Sequence, residues 1–568
     1  MSMAEAKRIV VDPITRIEGH LRIEVELGED GTIKDAYSSG TAFRGIELIL
    51  RGRDPRDVGL FAQRICGVCT YHHYERGIEA VESAFGVRIP PNARLVRNLL
   101  WIAQILQDHP THFYQLHSLD WWDVLSALKA DPAKAVEVAH RYHPNPYNAS
   151  ESHYRQVLER LKRFAASGQL GPFANGYWGH PGYRLTPEEN LVMASHYLDN
   201  LAIQRLAAQM DAILGGKNPH PQSLVVGGVT AVRDALSAQR LGEYRFLLEQ
   251  VRDFIERAYL PDLRMLAERY KEEALAGYGG GLGNYMSFGA LPLDNEDWAY
   301  REHYFPRGIV LNRDLSRVYE LDPMKIAEEV SHAWYTYSKG DDTPLHPFEG
   351  ETNPHYTGLN PDHTLQVEGK YSWLKTPRYE GKPMEVGPLA RLLVGYASGH
   401  QEIREAMDGF VERIGVPFRF WYSTVGRTVA RGLNALLVAR KADHFLNQLI
   451  ANVSKGDERF FTPYQPKDGQ GFSATEVPRG GLSHWVVIKN GRVENFQAVV
   501  PTTWNGSPRD AKGQRGAYEA SLIGQPLHDP TKPLEILRTI HSFDPCLACA
   551  VHLIDPQGRE VAHLKVEV

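Results

Sequence analysis

Cysteine is scarce, with four residues in a chain of 568. So few thiols exclude a disulfide scaffold, and a chain this long can bury a core without one. No run of about 18 apolar residues occurs, which excludes a membrane-spanning helix; mean hydropathy is −0.37. Charge of one sign is also lacking. Lys and Arg number 63 against 69 Asp and Glu, so the net charge of −6 argues against a nucleic-acid binder. There is no internal repeat and no low-complexity tract. Met1 to Arg8 lacks the apolar stretch of a secretory signal. What remains is the composition of a soluble globular protein, 43% hydrophobic and 23% charged, with 24 histidines.

The few cysteines are arranged with economy. All four fall in two C-x-x-C pairs, Cys66-Gly67-Val68-Cys69 and Cys546-Leu547-Ala548-Cys549. Two pairs with no spare thiol read as one four-thiolate site for a soft or borderline metal such as zinc, iron or nickel. A structural zinc module usually spaces its pairs about 15–20 residues apart. Here they lie at opposite ends of the chain. A thioredoxin-like redox pair needs only one such motif and a βαβ entry. If the four thiolates share a metal, both ends of the chain must meet in the core. Residues 1–552 are therefore expected to form one interlocked domain, although length alone allows about three or four.

Periodicity predicts a mainly helical α+β fold: a core bundle of long helices with small β-elements near both termini. Residues 18–40 read as a hairpin, with Leu21, Ile23, Val25 and Leu27 alternating and a turn at Gly28–Gly31. A helix is expected over 92–108, with Leu95, Leu99, Ile102 and Leu106 on its apolar face and Pro110 kinking or ending its next turn. Further helices are expected over 187–214, stopping at Gly215-Gly216, over 232–258 and 261–276, broken at Pro261, and over 388–414 and 425–453. Residues 277–385, rich in Gly, Pro, Tyr and Asp, read as irregular. Residues 485–500 read as a hairpin turning at Asn490-Gly491.

The flanks of the two pairs are more specific. Arg64-Ile65-Cys66-Gly67-Val68-Cys69-Thr70-Tyr71-His72-His73 and Ser542-Phe543-Asp544-Pro545-Cys546-Leu547-Ala548-Cys549-Ala550-Val551-His552 resemble the two signatures of the nickel–iron (NiFe) hydrogenase large subunit, in its dimeric uptake type. The resemblance runs through Arg16-Ile17-Glu18-Gly19-His20, Phe43-Arg44-Gly45-Ile46-Glu47, Gly52 to Asp57, and Asp108-His109 with His112, His117 and Asp120. It continues through Gly176 to Pro181, Pro478-Arg479-Gly480 and Val500-Pro501-Thr502-Thr503-Trp504-Asn505. The pattern departs at Tyr74 to Gly77, Gln107 and Pro110, which leaves the metal ligands intact.

That resemblance implies a role for each motif residue. Cys66 and Cys546 would be terminal ligands of nickel, and Cys69 and Cys549 would bridge to an iron carrying cyanide and carbon monoxide. Glu18 would relay protons; otherwise it is a buried salt-bridge partner of Arg16 or Arg22. Arg479 would hydrogen-bond a cyanide or act on H2; otherwise it is a surface arginine in a Gly-rich turn. Asp108 and Asp544 would orient Arg479, though Asp544 could equally shape the turn before Pro545. Pro501 and Thr502 would line the cyanide side, unless Thr502 is a plain strand residue. His73 would hydrogen-bond a bridging sulfur, and His72 is given no role. Glu47, His552 and the backbone carbonyl of Ala498 would hold magnesium.

The activity implied is a hydrogenase, an oxidoreductase splitting H2 heterolytically, with Cys546 or Arg479 as first base. An H2 sensor and the quinone-site subunit of respiratory complex I are the alternatives, besides zinc. A sensor would lack the extension Leu553–Val568, and the complex I subunit lacks the cysteine pairs. No cysteine remains for iron–sulfur clusters, so electrons require a separate iron–sulfur small subunit. The chain would reach the periplasm or the membrane by export attached to that partner. Residues 553–568 read as a turn and a strand. The resemblance implies removal of this tail by a maturation protease after nickel insertion by chaperones; otherwise it stays as an edge strand.

Overall fold

The computed structural model describes residues 7–168 and 171–547. Cys549, His552 and the extension 553–568 lie outside the described residues.

The N-terminal hairpin is present and gains an outer strand. β1 (Lys7–Val11), β2 (Leu21–Leu27) and β3 (Ile33–Gly40) form an antiparallel sheet with β2 central. The alternation that predicts β2 places Ile23 and Val25 at zero exposure, against a second core formed with Trp334, Leu374, Tyr518 and Ile540. At the other end, β4 (Gly469–Val477), β5 (Gly480–Lys489) and β6 (Arg492–Val499) form a second sheet. The β5–β6 turn is the expected Asn490-Gly491, both residues at positive φ (53° and 70°), as a tight hairpin requires.

Between the sheets in chain order run the long helices α1 (Thr70–Phe85), α2 (Pro91–Thr111), α3 (Pro187–Gly215) and α4 (Thr424–Ser454), and the short α5 (Leu534–Ser542) follows the second sheet. α2 packs against both α3 and α4. Leu95, Leu99, Ile102 and Leu106 are buried, and so are Arg97 and Gln104 on other faces, because α2 is covered all round. Its buried charge is matched: Arg97 forks onto Glu82 of α1 at 2.7 and 2.9 Å. α3 starts at a capping box between Thr186 and Glu189 and stops at Gly216 (φ 82°).

Two proline expectations are corrected. α2 continues through Pro110 to Thr111 and passes into a π turn, His112–His117. His109 and Pro110 are buried, so packing holds the turn that the ring disfavours. Pro261 does not break its helix either. A π turn, Ile255–Tyr259, leads into Leu260–Arg269, and the Arg257 carbonyl that Pro261 cannot serve accepts the Tyr147 N–H at 3.1 Å. The 388–414 stretch divides into Pro388–Ala397 and Gln401–Ile414. Residues 277–385 are more ordered than expected, with the antiparallel pairs Tyr285–Pro292/His303–Val310 and Ile326–Glu329/Thr376–Tyr379. Their glycines and prolines mask the alternation: Gly289 and Gly308 both sit at positive φ inside paired strands. The fold is thus the mainly helical α+β arrangement expected, with a small sheet toward each end.

Candidate metal centre

The two ends of the chain meet at the cysteines. Leu547 N–H donates to the Glu18 carbonyl at 2.7 Å, and Glu18 forms a parallel bridge with Cys546. Cys66 precedes α1 in extended conformation, and Cys69 occupies the position just before the helix begins. The sulfurs of Cys66, Cys69 and Cys546 all lie within 4.8 Å of one another, and all three residues are buried. Cys66 Sγ is 3.3 Å from Cys546 Sγ and accepts the backbone N–H groups of Val68 and Cys69, each at 3.2 Å. None of the three is in a disulfide. Buried, clustered thiols are a soft donor set, which fits nickel and iron and does not fit a hard cation. Cys549 is outside the described residues.

Glu18 joins this cluster. The Cys546 thiol donates to Glu18 Oε2 at 3.2 Å. The arginines that offered a salt-bridge role are engaged elsewhere: Arg16 on Asp120, and Arg22 on Asp12 and Glu24. Glu18 is thus at a sulfur.

Arg479 is not a surface residue. It occupies the two-residue turn from β4 to β5, between Pro478 and Gly480, with a side chain 4% exposed. Gly480 is required there, because φ is 130° and a Cβ would come within 2.6 Å of Gly387 N. Two carboxylates flank the guanidinium. Asp544 Oδ1 is 3.1 Å from Nε and Asp108 Oδ2 is 3.5 Å from Nη1, both at ion-pair distance but off the hydrogen-bonding direction. Burial works against the Arg479 charge, but Asp544, Cys546 and Asp108 outweigh it and raise its pKa well above the usual value. Asp108 comes from the last turns of α2. Burial pushes its carboxyl up to about 7 against the pull of Arg479, and Gln104 donates to it at 2.8 Å. Asp544 has φ 59°, and its Oδ2 is 3.4 Å from Arg431 of α4.

Thr502 is not a strand residue. It lies in the first turn of the Pro501–Gly506 helix, beside Pro501, and its Oγ1 accepts the Cys546 N–H at 3.1 Å. His73 has an unexpected partner. Its Nδ1 hydrogen-bonds His484 Nε2 at 3.1 Å, with the rings stacked, and Cys549, expected to bridge, lies outside the described residues. Burial lowers the His73 pKa to about 4, and burial with His73 alongside lowers that of His484 well below the usual imidazole value. His484 lies within β5, where neither motif nor spacing marks it. His72 is fully buried and hydrogen-bonds no described group.

The expected magnesium ligands are brought together in part. Glu47 opens the short Ile46–Leu50 helix, and its Oε1 accepts the Ala498 N–H at 3.1 Å. Ala498 therefore meets Glu47 through its N–H rather than through the carbonyl named from sequence. Lys375 Nζ lies 3.4 Å from Glu47 Oε2 and 2.6 Å from Gln497 Oε1, and Thr352 donates to Glu47. Glu47, Thr352, Lys375, Ala498 and Glu328 line a cavity of about 30 Å³. Burial, with Glu47 nearby, pushes Glu328 up to about 7 despite Lys375. Two carboxyl groups, Glu47 and Glu328, beside a cavity of that size fit a small hard cation holding waters. His552 is outside the described residues. Lys375, Gln497 and Thr352 were not foreseen: Lys375 and Thr352 lie far from any motif in the chain, and Gln497 precedes Ala498 without being part of one.

Residues 44–552 match the family model described as nickel-dependent hydrogenase, and residues 8–43 match one described as HoxL-like. The chain is 50% identical to the quinone-reactive Ni/Fe-hydrogenase large chain of Wolinella succinogenes, covering 99% of this chain and 98% of the relative. It is 45% identical to the uptake hydrogenase large subunit of Rhizobium leguminosarum bv. viciae, covering 99% and 97%. Among solved structures it resembles the Ni-Fe-Se hydrogenase from D. vulgaris Hildenborough in the reduced state, with TM-score 0.77, 33% identity and coverage of 96% and 100%. A structural zinc protein is not what these relatives describe. Thiols from both ends of the chain clustered in one buried site, and a family match over nearly the whole length, have one reading: this chain belongs to the nickel-dependent hydrogenase family.

Proposed function

We propose that this chain is the catalytic large subunit of an uptake-type hydrogenase that converts H2 to two protons and two electrons. The observation that carries the reading is the Cys66–Cys69–Cys546 cluster with Glu18 hydrogen-bonded to Cys546. Cys66, Cys69, Cys546 and Cys549 would hold a nickel–iron pair. When bound, that pair supplies the Lewis acidity and electron capacity that polarise and cleave H2.

The chain's residues then divide the work. The first proton is taken by the Cys546 thiolate, since Asp544, Cys546 and Asp108 keep Arg479 a guanidinium cation with no lone pair to accept it. From Cys546 the 3.2 Å hydrogen bond hands it to Glu18, which carries it outward. Asp108 and Asp544 hold the Arg479 guanidinium in one orientation over the site. Arg479, Pro501 and Thr502 are assigned to cyanide, with carbon monoxide completing the iron, and His73, steadied by His484, to a bridging sulfur. Glu47, Ala498 and His552 are assigned to magnesium, with Lys375, Gln497 and Glu328 around it.

Electrons leave through an iron–sulfur small subunit, as the large-subunit names of the relatives support. No helix among the described residues is long and apolar enough to cross a membrane. Membrane association therefore comes through partners, after export to the periplasmic side with the small subunit. Residues 1–552 act as one catalytic unit. Residues 553–568 are removed by a maturation protease after chaperones insert nickel. The test is H2-dependent reduction of an artificial electron acceptor by the purified complex. The reading requires activity in the wild type and none in Cys66→Ser; acceptor reduction by Cys66→Ser at the wild-type rate would overturn it.

A further inference from the structure

Asp120 stands outside the proposed reaction, yet its buried carboxylate joins two chain segments that lead to the site. It follows the π turn beyond α2, and its side chain has zero exposure. Arg16 donates to Oδ1, and His541 Nδ1 lies 2.6 Å from Oδ2. Burial would raise its pKa, but Arg16 and His541 outweigh that and hold the carboxyl below the usual range. Its backbone carbonyl accepts Arg538 Nε at 2.8 Å, and Arg538, like His541, belongs to α5.

His541 faces acceptors on both sides. Beyond Asp120, its Nε2 is 2.8 Å from the Thr15 carbonyl oxygen. A carboxylate and a carbonyl can only accept, so both contacts are satisfied together only when both ring nitrogens carry protons. The imidazolium thus bridges the 15–16 segment to α5. Arg16 completes the tie: its Nη1 donates to the Leu116 carbonyl at 2.5 Å, and its backbone sits at φ 55°, a conformation a non-glycine residue holds only when its surroundings impose it.

The two segments so tied are the ones that meet at the sulfur. Two residues after Arg16 comes Glu18, and the turn after His541 carries Asp544 and Cys546. The Asp544 N–H donates back to the His541 carbonyl at 2.9 Å. Among the described residues, Glu18 meets the Cys546 segment through backbone hydrogen bonds with Pro545 and Leu547 and through the 3.2 Å side-chain contact with Cys546. We propose that Asp120 and His541 are positioning residues: their clamp on Thr15 and Arg16 sets the register of the Glu18 segment against the Cys546 segment, and with it the Glu18–Cys546 contact.

The consequence of Glu18 displacement rests on the proton-carrying role given to it above; the clamp itself does not. The experiment compares Asp120→Asn, His541→Gln and Glu18→Gln with wild type in the assembled, nickel-loaded enzyme. It reads nickel content, H/D exchange of H2 with solvent per nickel, and the nickel EPR spectrum. Gln at 541 keeps a donor but cannot donate to both acceptors. His541→Gln is expected to retain nickel, lose at least tenfold in exchange per nickel, and shift the EPR spectrum, because the surroundings of the Cys546 sulfur change. Asp120→Asn leaves two cations facing one amide. If it does not assemble, His541→Gln alone decides. Exchange per nickel and an EPR spectrum equal to wild type in His541→Gln would overturn the clamp, as would a loss of activity only in proportion to lost nickel. If Glu18→Gln exchanges normally, the proton-carrying role falls, and the clamp is judged on the EPR spectrum of His541→Gln.

Discussion

Serine in place of Cys66, Cys69 or Cys546 exchanges a soft, acidic ligand for a hard, weakly acidic one in a buried three-sulfur cluster. Each variant is expected to lose nickel and H2 oxidation together, read by metal analysis of the purified protein; full nickel in Cys546→Ser would separate that sulfur from the site. Glu18→Gln keeps the shape but cannot pass a proton. Exchange of H2 with solvent should fall by roughly 10²–10⁴-fold with the metals retained. Arg479→Lys replaces a planar fork held between Asp108 and Asp544 with a point charge, and should keep nickel while losing most activity. Unchanged kinetics would make the arginine structural only. These residues were legible because each sits in a short motif of fixed spacing. His484 and Lys375 were not. They reach His73 and Glu47 from 411 and 328 positions away, and no local pattern carries such a pairing.

At the scale of elements, close approach decides how the cysteines are presented. α1, which begins just after Cys69, lies against β4 at Gly471, where a Cβ would come within 1.9 Å of the Ala80 carbonyl oxygen. Gly471→Ala should destabilise the protein by about 1–3 kcal/mol and lower nickel retention, as thermal unfolding and metal analysis would show. An equal melting temperature would mean that α1 shifts freely. α3 carries a different liability. Asp211 is fully buried, with Asn218 donating at 2.8 Å, and burial pushes its carboxyl up to about 7. A folded-state value above that of the unfolded chain favours the neutral acid, so its contribution is complete at low pH and is lost as pH rises toward 7. Asp211→Asn should therefore match wild type near pH 4 and melt increasingly above it between pH 5 and 8, by roughly 2–4 kcal/mol at the upper end. A constant gap would refute the assignment. Long helices such as α3 were readable because capping box, periodicity and terminal glycine agree. The hairpins within 277–385 were not, since glycines at strand positions erase the alternation, and burial carried α2 past Pro110.

For the whole molecule, cysteine placement is the governing constraint: a metal shared by residue 66 and residue 546 demands that the chain's ends meet. They do so through the Glu18–Cys546 bridge. Position along the chain could say that the ends meet, but not which side chains pack around the meeting point, because that depends on contacts between elements hundreds of residues apart. Removal of residues 553–568 is a separate proposal, since Cys546 already meets Cys66 in the 568-residue chain. Mass spectrometry of active enzyme should find a C-terminus at His552, and active, nickel-loaded protein ending at Val568 would refute the removal. The central claim is that the cysteines of both ends hold one nickel–iron centre. Metal analysis of the purified wild-type enzyme beside Cys66→Ser and Cys546→Ser tests it most directly. The account predicts nickel and iron in equal amounts in the wild type and loss of nickel in both variants; zinc in the wild type, or nickel retained in either variant, would contradict it.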